Sequence, residues 1–527
     1  MRLYELHINN FKFFPKQDTN SPLLQINGKN LLIYGENGSG KSTIYWSLYT
    51  LLESGFKTQN SDLAKYFEKG NLDSLINIHA RKNQPAYIKA TLKDDVHPTE
   101  EFKIAGDTVT IEAARANSSI RESAMASDFI NYRVLFRLHN LKHTKANNLV
   151  PWFEDEVFPY IRIAHLSSTK TVSDLLKDMR EGPKKVKDLE ESEVFIYPNP
   201  SMRGHANEAV RRDYRKYTKF AKEVKIWNAQ LKEFLNNITN RANEILRDDF
   251  QHDFSIKLEY SKSKIRVTSE DFQWINPTIE LKIPEYSGKK RAVKRPHSFL
   301  NEAKWTSIGL SIRFAIVEDW TNRPATAKLK ALVIDDMLLS LDMSNRDVVL
   351  NALLDRYVRD YQLIMLTHDR YFFELAQGKI NARNKGAEWL KLEMYEDNNG
   401  VMTTPLIIKS KTNLERAKSF FKQKEFAASA NHLRKATECF VQEYVPKRHH
   451  YDKKFKPLDL SSMIGKSKAM ARLGGLPMSL IQDLDLMRTN LFNPGSHYDV
   501  YTPIFQNDLK KAISTLEQVS LLTRINL

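Results

Sequence analysis

Gly35-Glu36-Asn37-Gly38-Ser39-Gly40-Lys41-Ser42-Thr43 is the stretch of this sequence that decides the fold. It follows a short apolar run, Leu31–Tyr34, and precedes a segment whose apolar residues have helical spacing: Ile44, Leu48, Leu51 and Leu52. A strand, a glycine-rich loop and a helix in this order are typical of a phosphate-binding loop. Glycine lets the backbone turn tightly with its N–H groups facing inward, and the helix directs its positive end at the same anion. The stretch therefore predicts a nucleoside triphosphate site.

The positions of this loop have distinct expected roles. Lys41 would reach the β- and γ-phosphates of ATP, and the Ser42 hydroxyl would hold Mg²⁺. The other residues that we expect to surround the phosphates are Gly35, Asn37, Gly38, Ser39, Gly40 and Thr43. The alternative is an ordinary glycine-rich loop, and the full match in a chain with only 18 glycines argues against it.

Two consecutive acids follow a second apolar strand pattern, Ala331–Ile334. We expect Asp335 to bind the metal and Asp336 to act as general base or to position the attacking water. A further apolar run, 363–366, ends in Thr367-His368-Asp369. A single histidine is usually structural, but at the end of a strand next to the acidic one His368 can contact the γ-phosphate, and we favour this interpretation. The predicted catalytic residues are thus Lys41, Asp336 and His368.

Length and composition limit the class of protein. The 527 residues imply three or four structural units, and 41% hydrophobic with 27% charged residues indicates a globular chain. The net charge of +16 is compatible with nucleic-acid or acidic protein partners. A single cysteine, Cys439, excludes an intramolecular disulfide framework. Without a signal peptide or a run near the roughly 20 apolar residues of a membrane span, we expect a cytoplasmic protein.

The strongest periodicity in the chain predicts one long helix. Its apolar positions recur every three or four residues: Tyr217, Phe220, Val224, Trp227, Leu231, Phe234, Ile238, Ala242 and Ile245. The other face is basic: Arg211, Arg212, Arg215, Lys216, Lys219, Lys222 and Lys225. This face is either the solvated side of the helix or a strip that follows a nucleic-acid backbone.

Alternating runs predict further strands. They lie at residues 86–92, 108–111, 254–260, 265–267 and 278–283. A second basic cluster is predicted in a loop after the last of these: Lys289, Lys290, Arg291, Lys294 and Arg295.

The order of these motifs resembles the ABC-type ATPase heads of the SMC/RecF superfamily, over roughly residues 1–410. Asn10-Phe11-Lys12 is similar to the opening strand motif, the glycine loop to Walker A, and Ile334-Asp335-Asp336 to Walker B. Ser340-Leu341-Asp342 is similar to the D-loop and His368 to the switch histidine. Phe299–Lys304 occupies the position of the ABC signature. The resemblance implies that Lys12, Asn301, Glu302 and Asp342 also bind nucleotide, and that two heads enclose ATP between them.

The sequence departs from this family at several positions. The signature lacks Ser-Gly-Gly, so Asn301 stands for the serine and Ala303 for a glycine. No Q-loop glutamine occurs near residues 131–142, where His139 or Asn140 could substitute. Asp336 stands where the family usually has a catalytic glutamate, and the shorter reach of its side chain predicts slow turnover. The segment between Walker A and the signature suits a short helical hairpin rather than a long coiled coil.

The C-terminal region is predicted to be all-helical, with a helix pair in 412–444 and helices near 459–472, 477–492 and 505–523. It resembles a HEPN-like helical domain, a class that includes ribonuclease toxins with an Arg followed by His. Arg488 and His497 depart from the usual spacing of that motif. The residues that could converge in a dimer are Arg434, Arg488, Asn493 and His497. A structural helix end with a hydrogen-bonded His is the competing interpretation.

Together these patterns predict an α/β fold: a P-loop ABC-type ATPase head, with a mixed-sheet lobe and a parallel-sheet core, a helical-hairpin insertion and an all-α C-terminal domain. The expected domains are 1–165, 166–250, 251–410 and 411–527.

The Asp-Asp pair before Ser-Leu-Asp resembles prokaryotic anti-phage ATPases. The resemblance implies an ATP- and Mg²⁺-dependent sensor or scaffold that forms head-to-head dimers or higher homo-oligomers and controls a nuclease or toxin, with DNA or RNA as a further partner of the basic hairpin and no membrane association. The alternatives are an ATPase-regulated HEPN-type ribonuclease and a RecF-like DNA-repair ATPase.

Overall fold

The structure, a computed structural model, describes residues 1–16, 22–81, 83–131, 148–162, 170–187, 208–267, 272–289, 293, 296–319, 326–336, 343–398, 402–492, 504–523, 525 and 527. The chain divides into two compact units. The first comprises Met1–Asp369 and Met394–Leu406, and the second comprises Arg370–Glu393 and Ile407–Leu527. In the described part of the chain, no helix combines the length and the apolar composition that crossing a membrane requires.

The strands of the described residues are β1 (Arg2–Asn9), β2 (Leu24–Gln25), β3 (Asn30–Gly35), β4 (Tyr87–Lys93), β5 (Glu100–Ala105), β6 (Asp128–Asn131), β7 (Phe254–Ser261), β8 (Lys264–Val267), β9 (Phe272–Ile275), β10 (Thr278–Tyr286), β11 (Ala331–Asp335), β12 (Gln362–Thr367), β13 (Trp389–Asn398) and β14 (Thr403–Lys409).

The helices are α1 (Lys41–Glu53), α2 (Ser61–Ala64), α3 (Thr108–Ala116), α4 (Ser118–Ala126), α5 (Val150–Glu156), α6 (Val172–Lys187), α7 (Glu208–Glu244), α8 (Pro296–Phe299), α9 (Glu302–Glu318), α10 (Met343–Asp355), α11 (Arg370–Ala382), α12 (Asn413–Lys422), α13 (Phe426–Tyr444), α14 (Leu460–Arg472), α15 (Met478–Met487) and α16 (Gln506–Thr523). Single π-helical turns, Ile245–Asp249 and Arg488–Phe492, follow α7 and α15.

A six-stranded sheet forms the core of the first unit, in the order β14-β13-β3-β12-β11-β6. β12 is parallel to both β3 and β11, and β11 is parallel to β6. The apolar runs of β3, β11 and β12 are buried, except for the half-buried Tyr34, because parallel strands have both faces covered. The predicted α/β fold with a parallel-sheet core is confirmed, and the carboxyl ends of these strands meet at one edge.

The same unit contains antiparallel sheets. One has the order β2-β1-β4-β5, and the pairs β7–β10 and β8–β9 form two smaller sheets. The strand predicted at residues 108–111 is wrong, because this segment begins α3. Asp107 caps that helix, since its carboxylate accepts a hydrogen bond from the backbone N–H of Thr110 at 2.8 Å. A four-residue alternation is too short to outweigh a cap followed by helix-forming residues.

The predicted long helix is present as α7. The apolar positions of its described side chains are buried, among them Trp227 and Leu231, so this face packs along its length. On the basic face, Lys222 and Lys225 are exposed. The side chains of the other residues of this face, Arg211, Arg212, Arg215, Lys216 and Lys219, lie outside the described part of the chain. Of the second basic cluster, Lys289 is described and Lys290, Arg291, Lys294 and Arg295 are not.

The second unit is mostly helical, as predicted for the C-terminal region. The predicted pair in 412–444 corresponds to α12 and α13, and a capping box between Thr412 and Glu415 begins the first of them. Buried apolar side chains from α12 to α16 form one core, which includes Phe440, Ile481 and Leu516. The helical C-terminal region of the predicted fold class is therefore present.

Candidate nucleotide-binding site

The phosphate-binding loop lies between β3 and α1, as the sequence predicts. Gly40 directly precedes the helix with a φ of 98°, and Gly38 has a φ of 91°. These left-handed conformations suit glycine because they place a Cβ of an L-residue in steric conflict. The loop thus makes the tight, glycine-dependent turns expected of a phosphate-binding loop.

Lys41 is the buried cation of this loop, with 5% of its surface exposed. Its Nζ donates to the carbonyl oxygens of Gly35 at 2.5 Å and Glu36 at 2.8 Å. Burial lowers the pKa of Lys41, and the carboxylates of Asp336 and Asp335 act in the opposite direction. The structure therefore brings the glycine loop and the acidic strand into one site, as predicted.

A direct hydrogen bond joins the two halves of the site. The Ser42 hydroxyl donates to Asp335 Oδ2 at 3.0 Å across 293 residues of sequence. Asp335 is 8% exposed, and its other oxygen, Oδ1, has no hydrogen-bond partner in the described structure. Burial and the neighbouring Asp336 carboxylate raise the pKa of Asp335 to about 6.

These two side chains fit a magnesium ion. A hydroxyl next to a carboxylate with a free buried oxygen offers the hard oxygen ligands that Mg²⁺ prefers, and a cation would compensate the buried negative charge. Among the described residues there is no group of three or more His, Cys, Asp or Glu side chains that could bind a metal ion. A metal at Ser42 and Asp335 would therefore depend on phosphate and water oxygens as well.

Asp336 and His368 form a pair beside this position. Asp336 has a φ of 49°, an uncommon conformation for a residue other than glycine, and its backbone N–H donates to Leu366 O at 3.1 Å. Its Oδ1 accepts from the backbone N–H of His368 at 2.9 Å, and its Oδ2 lies 2.8 Å from His368 Nδ1. Because β11 and β12 are adjacent parallel strands, both side chains project from the same edge of the sheet.

Two residues that the sequence analysis missed pack against the loop. A Cβ placed on Gly38 would lie 1.9 Å from Glu396 Oε1, and one on Gly40 would lie 2.8 Å from Phe13 Cδ1. Phe13 directly follows the Asn10-Phe11-Lys12 motif, so this motif could have identified it from the sequence. Glu396 has no local signal, because its position results from the sheet order, in which β13 is the neighbour of β3.

The other residues predicted to bind nucleotide lie in the glycine loop itself and in the segment that follows β1. In the loop, Ser39 and Thr43 are buried and Asn37 is exposed. Lys12 has a φ of 49°, and its Nζ lies 5.7 Å from the centre of the Trp46 ring on α1.

The signature segment is at the start of α9. Asn301 caps this helix by accepting from Lys304 N–H at 3.0 Å, and Glu302 is its first residue. No hydrogen bond within the described residues links either side chain to Lys41 or Asp335. The predicted D-loop residue Asp342 and the Q-loop substitutes His139 and Asn140 lie outside the described residues.

The predicted ribonuclease residues are in the second unit. Arg488 Nε donates to Asp485 Oδ1 at 3.0 Å, and Lys468 Nζ donates to the other oxygen of that carboxylate at 2.6 Å. Arg434 is ion-paired with Glu438 on its own helix. Asn493 and His497 lie outside the described residues. The described residues thus place Arg488 in an ion-paired cluster at the end of α15.

Comparison with solved structures gives similar chains at low identity. The SMC head domain of Pyrococcus furiosus, solved with an extended coiled coil and bound to the C-terminal domain of ScpA, is 14% identical with a TM-score of 0.41, covering 80% of this chain and 99% of that chain. The recombination mediator protein RecF with ATP is 12% identical with a TM-score of 0.40, covering 70% and 92%. The SMC head domain of Thermotoga maritima is 13% identical with a TM-score of 0.32, covering 78% and 100%.

No curated protein sequence gives a significant match. The AAA domain family AAA_23, in contrast, matches residues 5–293, more than half of the chain and the part that contains the phosphate-binding loop. This chain therefore belongs to the AAA domain family AAA_23, a family of ATPases.

Proposed function

We propose that this chain binds ATP with Mg²⁺ and hydrolyses it at the edge of the parallel sheet. The observation that carries this proposal is the Ser42–Asp335 hydrogen bond beside the buried Lys41. Ser42 and Asp335 would hold the magnesium ion, and Lys41 would bind the β- and γ-phosphates. Magnesium supplies charge neutralisation for the transferred phosphoryl group.

The contacts between Asp336 and His368 support a role for this pair in activating water. The Asp336 carboxylate would orient a water molecule or accept its proton, and His368 would hold that carboxylate and contact the γ-phosphate. The shorter reach of aspartate compared with glutamate supports slow turnover. His368 is therefore a candidate both for positioning Asp336 and for contacting the substrate.

We also propose that two heads enclose ATP as in the SMC/RecF superfamily. The order of the motifs supports this assignment, and the capped start of α9 offers Asn301 and Glu302 to the nucleotide of a partner subunit. A helix N-terminus favours anionic phosphate groups because of its unpaired N–H groups and its dipole.

Substitution of Lys41 tests the core of this proposal. Lys41→Ala is expected to weaken ATP binding at least about a hundredfold and to abolish hydrolysis, because the phosphates lose their buried cation. Lys57→Ala is the matched control, since Lys57 forms an ion pair with Glu53 outside the loop. Equal ATP binding and turnover by the wild type and both variants would overturn the assignment.

The cellular role is a second part of the proposal. We propose a sensor or scaffold of a prokaryotic anti-phage system that holds a nuclease or toxin effector, which the Asp-Asp and Ser-Leu-Asp order supports. Co-purification of an effector that ATP releases is the expected result. ATPase activity stimulated by DNA, with no such effector, would instead support a RecF-like repair factor.

An ATPase-controlled ribonuclease is the remaining alternative from the sequence. It predicts that Arg488→Ala abolishes RNA cleavage and leaves ATP turnover intact. Intact RNA after incubation with the wild type in the presence and absence of ATP would exclude it.

A further inference from the structure

A cleft of about 430 Å³ opens in the first unit beside β6, the edge strand of the core sheet. Its walls come from α1, β6, the end of α5 and α9. This volume is within the range of small-molecule pockets. No residue of the loop 35–43 and neither acid of the pair 335–336 lines it, so the cleft is separate from the proposed nucleotide site.

Aromatic rings form one side of the cleft. Tyr45 and Tyr49 are stacked, with ring centres 6.4 Å apart and planes at 4°. Phe129 stands nearly perpendicular to both of them, at 5.6 Å and 5.4 Å, and Trp46 is nearly perpendicular to Tyr49 at 5.4 Å. Trp46, Tyr49 and Phe129 are only partly buried, so their rings are accessible from the cleft. Such rings bind apolar groups and attract cations.

A buried carboxylate forms the polar part of the cleft wall. Asp128 is 7% exposed and is ion-paired through Oδ1 with Arg313, which is 4% exposed. The other oxygen, Asp128 Oδ2, has no hydrogen-bond partner among the described residues. A buried acceptor without a donor is unfavourable, because the lost hydration of that oxygen is not replaced. Asp128 lines the cleft, so a ligand N–H group that reaches this buried oxygen would satisfy it.

The charge of the lining is negative overall. Besides Asp128, the acids Glu53, Asp155 and Glu156 line the cleft, and Glu53 is ion-paired with Lys57. Arg313 is the single basic residue among the described residues of the lining. This balance disfavours phosphates and other anions and favours a cation. Guanidinium combines the two required properties, since it stacks on aromatic rings and donates hydrogen bonds to carboxylates in its plane.

We propose that this cleft is a second ligand site, which binds a small molecule carrying a guanidinium group on a short apolar body. The guanidinium donates to Asp128 Oδ2 and lies against the rings of Tyr49 and Phe129. The apolar body fills the space next to Trp46.

Isothermal titration calorimetry of the full chain with arginine amide and citrulline amide tests this proposal. The two probes have nearly the same shape and the same α-amino group. They differ in the side-chain charge and in one terminal NH2 group of arginine, which is a carbonyl oxygen in citrulline. We expect saturable one-to-one binding of arginine amide, and binding of citrulline amide at least about tenfold weaker, because a charge-assisted hydrogen bond is lost. Equal affinities for the two probes, or no saturable binding of arginine amide, would overturn the proposal.

Two variants locate the site without disturbing the Asp128–Arg313 pair. Phe129→Ala is expected to weaken arginine amide binding at least about fivefold, because one ring of the cleft is removed. Tyr87→Ala is its matched control, a partly buried ring on a strand of the four-stranded sheet. Lys41→Ala is expected to bind arginine amide as the wild type does. Unchanged binding by Phe129→Ala, or loss of binding in Lys41→Ala, would assign the probe to another place.

Discussion

At the scale of one residue, the environment that suits Asp335 to its proposed function also lowers the stability of the free protein. Its carboxylate is buried, accepts one hydrogen bond from Ser42 and lies next to the like charge of Asp336. Burial and the charge of Asp336 favour the neutral acid in the folded chain, and they outweigh the hydrogen bond from Ser42, so the pKa of Asp335 is raised to about 6. A cation would make the ionised form favourable, so this site is costly in the free protein and suited to Mg²⁺.

The first prediction concerns the pH dependence of stability. Because the pKa of Asp335 in the folded chain lies above its ordinary value of 3.8, the folded state holds the proton more tightly, and stability falls as the pH rises from about 4 to about 6. Asp335→Asn is therefore expected to raise the free energy of unfolding by up to about 3 kcal/mol above pH 6, and to change it little near pH 4. Urea unfolding of both proteins at the two pH values without Mg²⁺ measures this difference.

The same variant provides a functional comparison. Asn can still accept the hydrogen bond from Ser42, but it lacks the charge that would hold the metal, so we expect Mg²⁺-dependent hydrolysis to be lost. A destabilised Asp335→Asn protein at pH 7 would contradict the account of the buried charge.

The second prediction separates the two neighbouring acids. Asp336→Asn is expected to lower the turnover of ATP by about 10²–10⁴-fold, because the general base is lost, with little change in the affinity for Mg-ATP. Steady-state hydrolysis and equilibrium binding of ATP provide the two measurements. Loss of binding together with turnover would instead place Asp336 among the metal ligands.

At the scale of secondary-structure elements, the start of α9 has one observed role, the helix cap, and one proposed role. Asn301 caps the helix through its side-chain oxygen, and we propose that the same side chain contacts the nucleotide of a partner subunit. Substitutions can separate these roles because aspartate also caps helices but carries a negative charge.

The third prediction uses this difference. Asn301→Ala is expected to cost about 1 kcal/mol of stability, whereas Asn301→Asp is expected to keep the cap. In an Asp336→Asn background with Mg-ATP, light scattering should show dimers for the parent and monomers for the Asn301→Asp variant, since a carboxylate would face the γ-phosphate. Dimers of unchanged affinity in Asn301→Asp would remove Asn301 from the proposed interface.

The end of β13 supplies an unexpected acid to the phosphate-binding loop. The exposed Glu396 carboxylate lies against Gly38, where it would repel the phosphates of ATP. As the fourth prediction, Glu396→Gln is expected to bind ATP about two- to fivefold more tightly, the range for removing one exposed charge contact.

Asp397→Asn is the matched control for this substitution. Successive residues of a strand point to opposite faces, so the neighbouring carboxylate should not influence the loop. Weaker ATP binding by Glu396→Gln would indicate that Glu396 contributes a contact to the nucleotide rather than repulsion.

At the scale of the whole molecule, the net charge of +16 concerns association rather than folding. The exposed face of α7 presents Lys222 and Lys225, while the described apolar side chains of its seam, from Phe220 to Ala242, are buried. The helix therefore packs through its apolar face, and these two lysines remain accessible. The two interpretations of that face, as a solvated side or as a strip that binds nucleic acid, predict a different salt dependence of nucleic-acid affinity when its lysines are replaced.

The fifth prediction follows the nucleic-acid interpretation. The double variant Lys222→Glu/Lys225→Glu is expected to weaken DNA or RNA binding about tenfold or more and to reduce the slope of log affinity against log salt by about 1–2. Lys453→Glu/Lys454→Glu changes the net charge equally at an exposed segment of the second unit and serves as the control. Equal effects of the two pairs would favour the interpretation as a solvated face.

Local patterns in the sequence determined a large part of this protein. The glycine loop between an apolar strand and a helix, the buried strand ending in Asp335-Asp336, and the periodicity of α7 each follow from spacing that neighbouring residues fix. The strand predicted at 108–111 failed because a single cap by Asp107 outweighed a short alternation. The α/β class could thus be predicted, and the local patterns also located the glycine loop and the acidic strand that the structure brings together.

Only the tertiary structure decided which distant residues meet. The order β13-β3-β12-β11-β6 brings Ser42 to Asp335, places His368 beside Asp336 and sets Glu396 against Gly38. The same order makes β6 an edge strand, and the cleft with the unsatisfied Asp128 oxygen lies there. Strand order results from burial of apolar faces over the whole unit, a cooperative property that no short stretch of sequence contains.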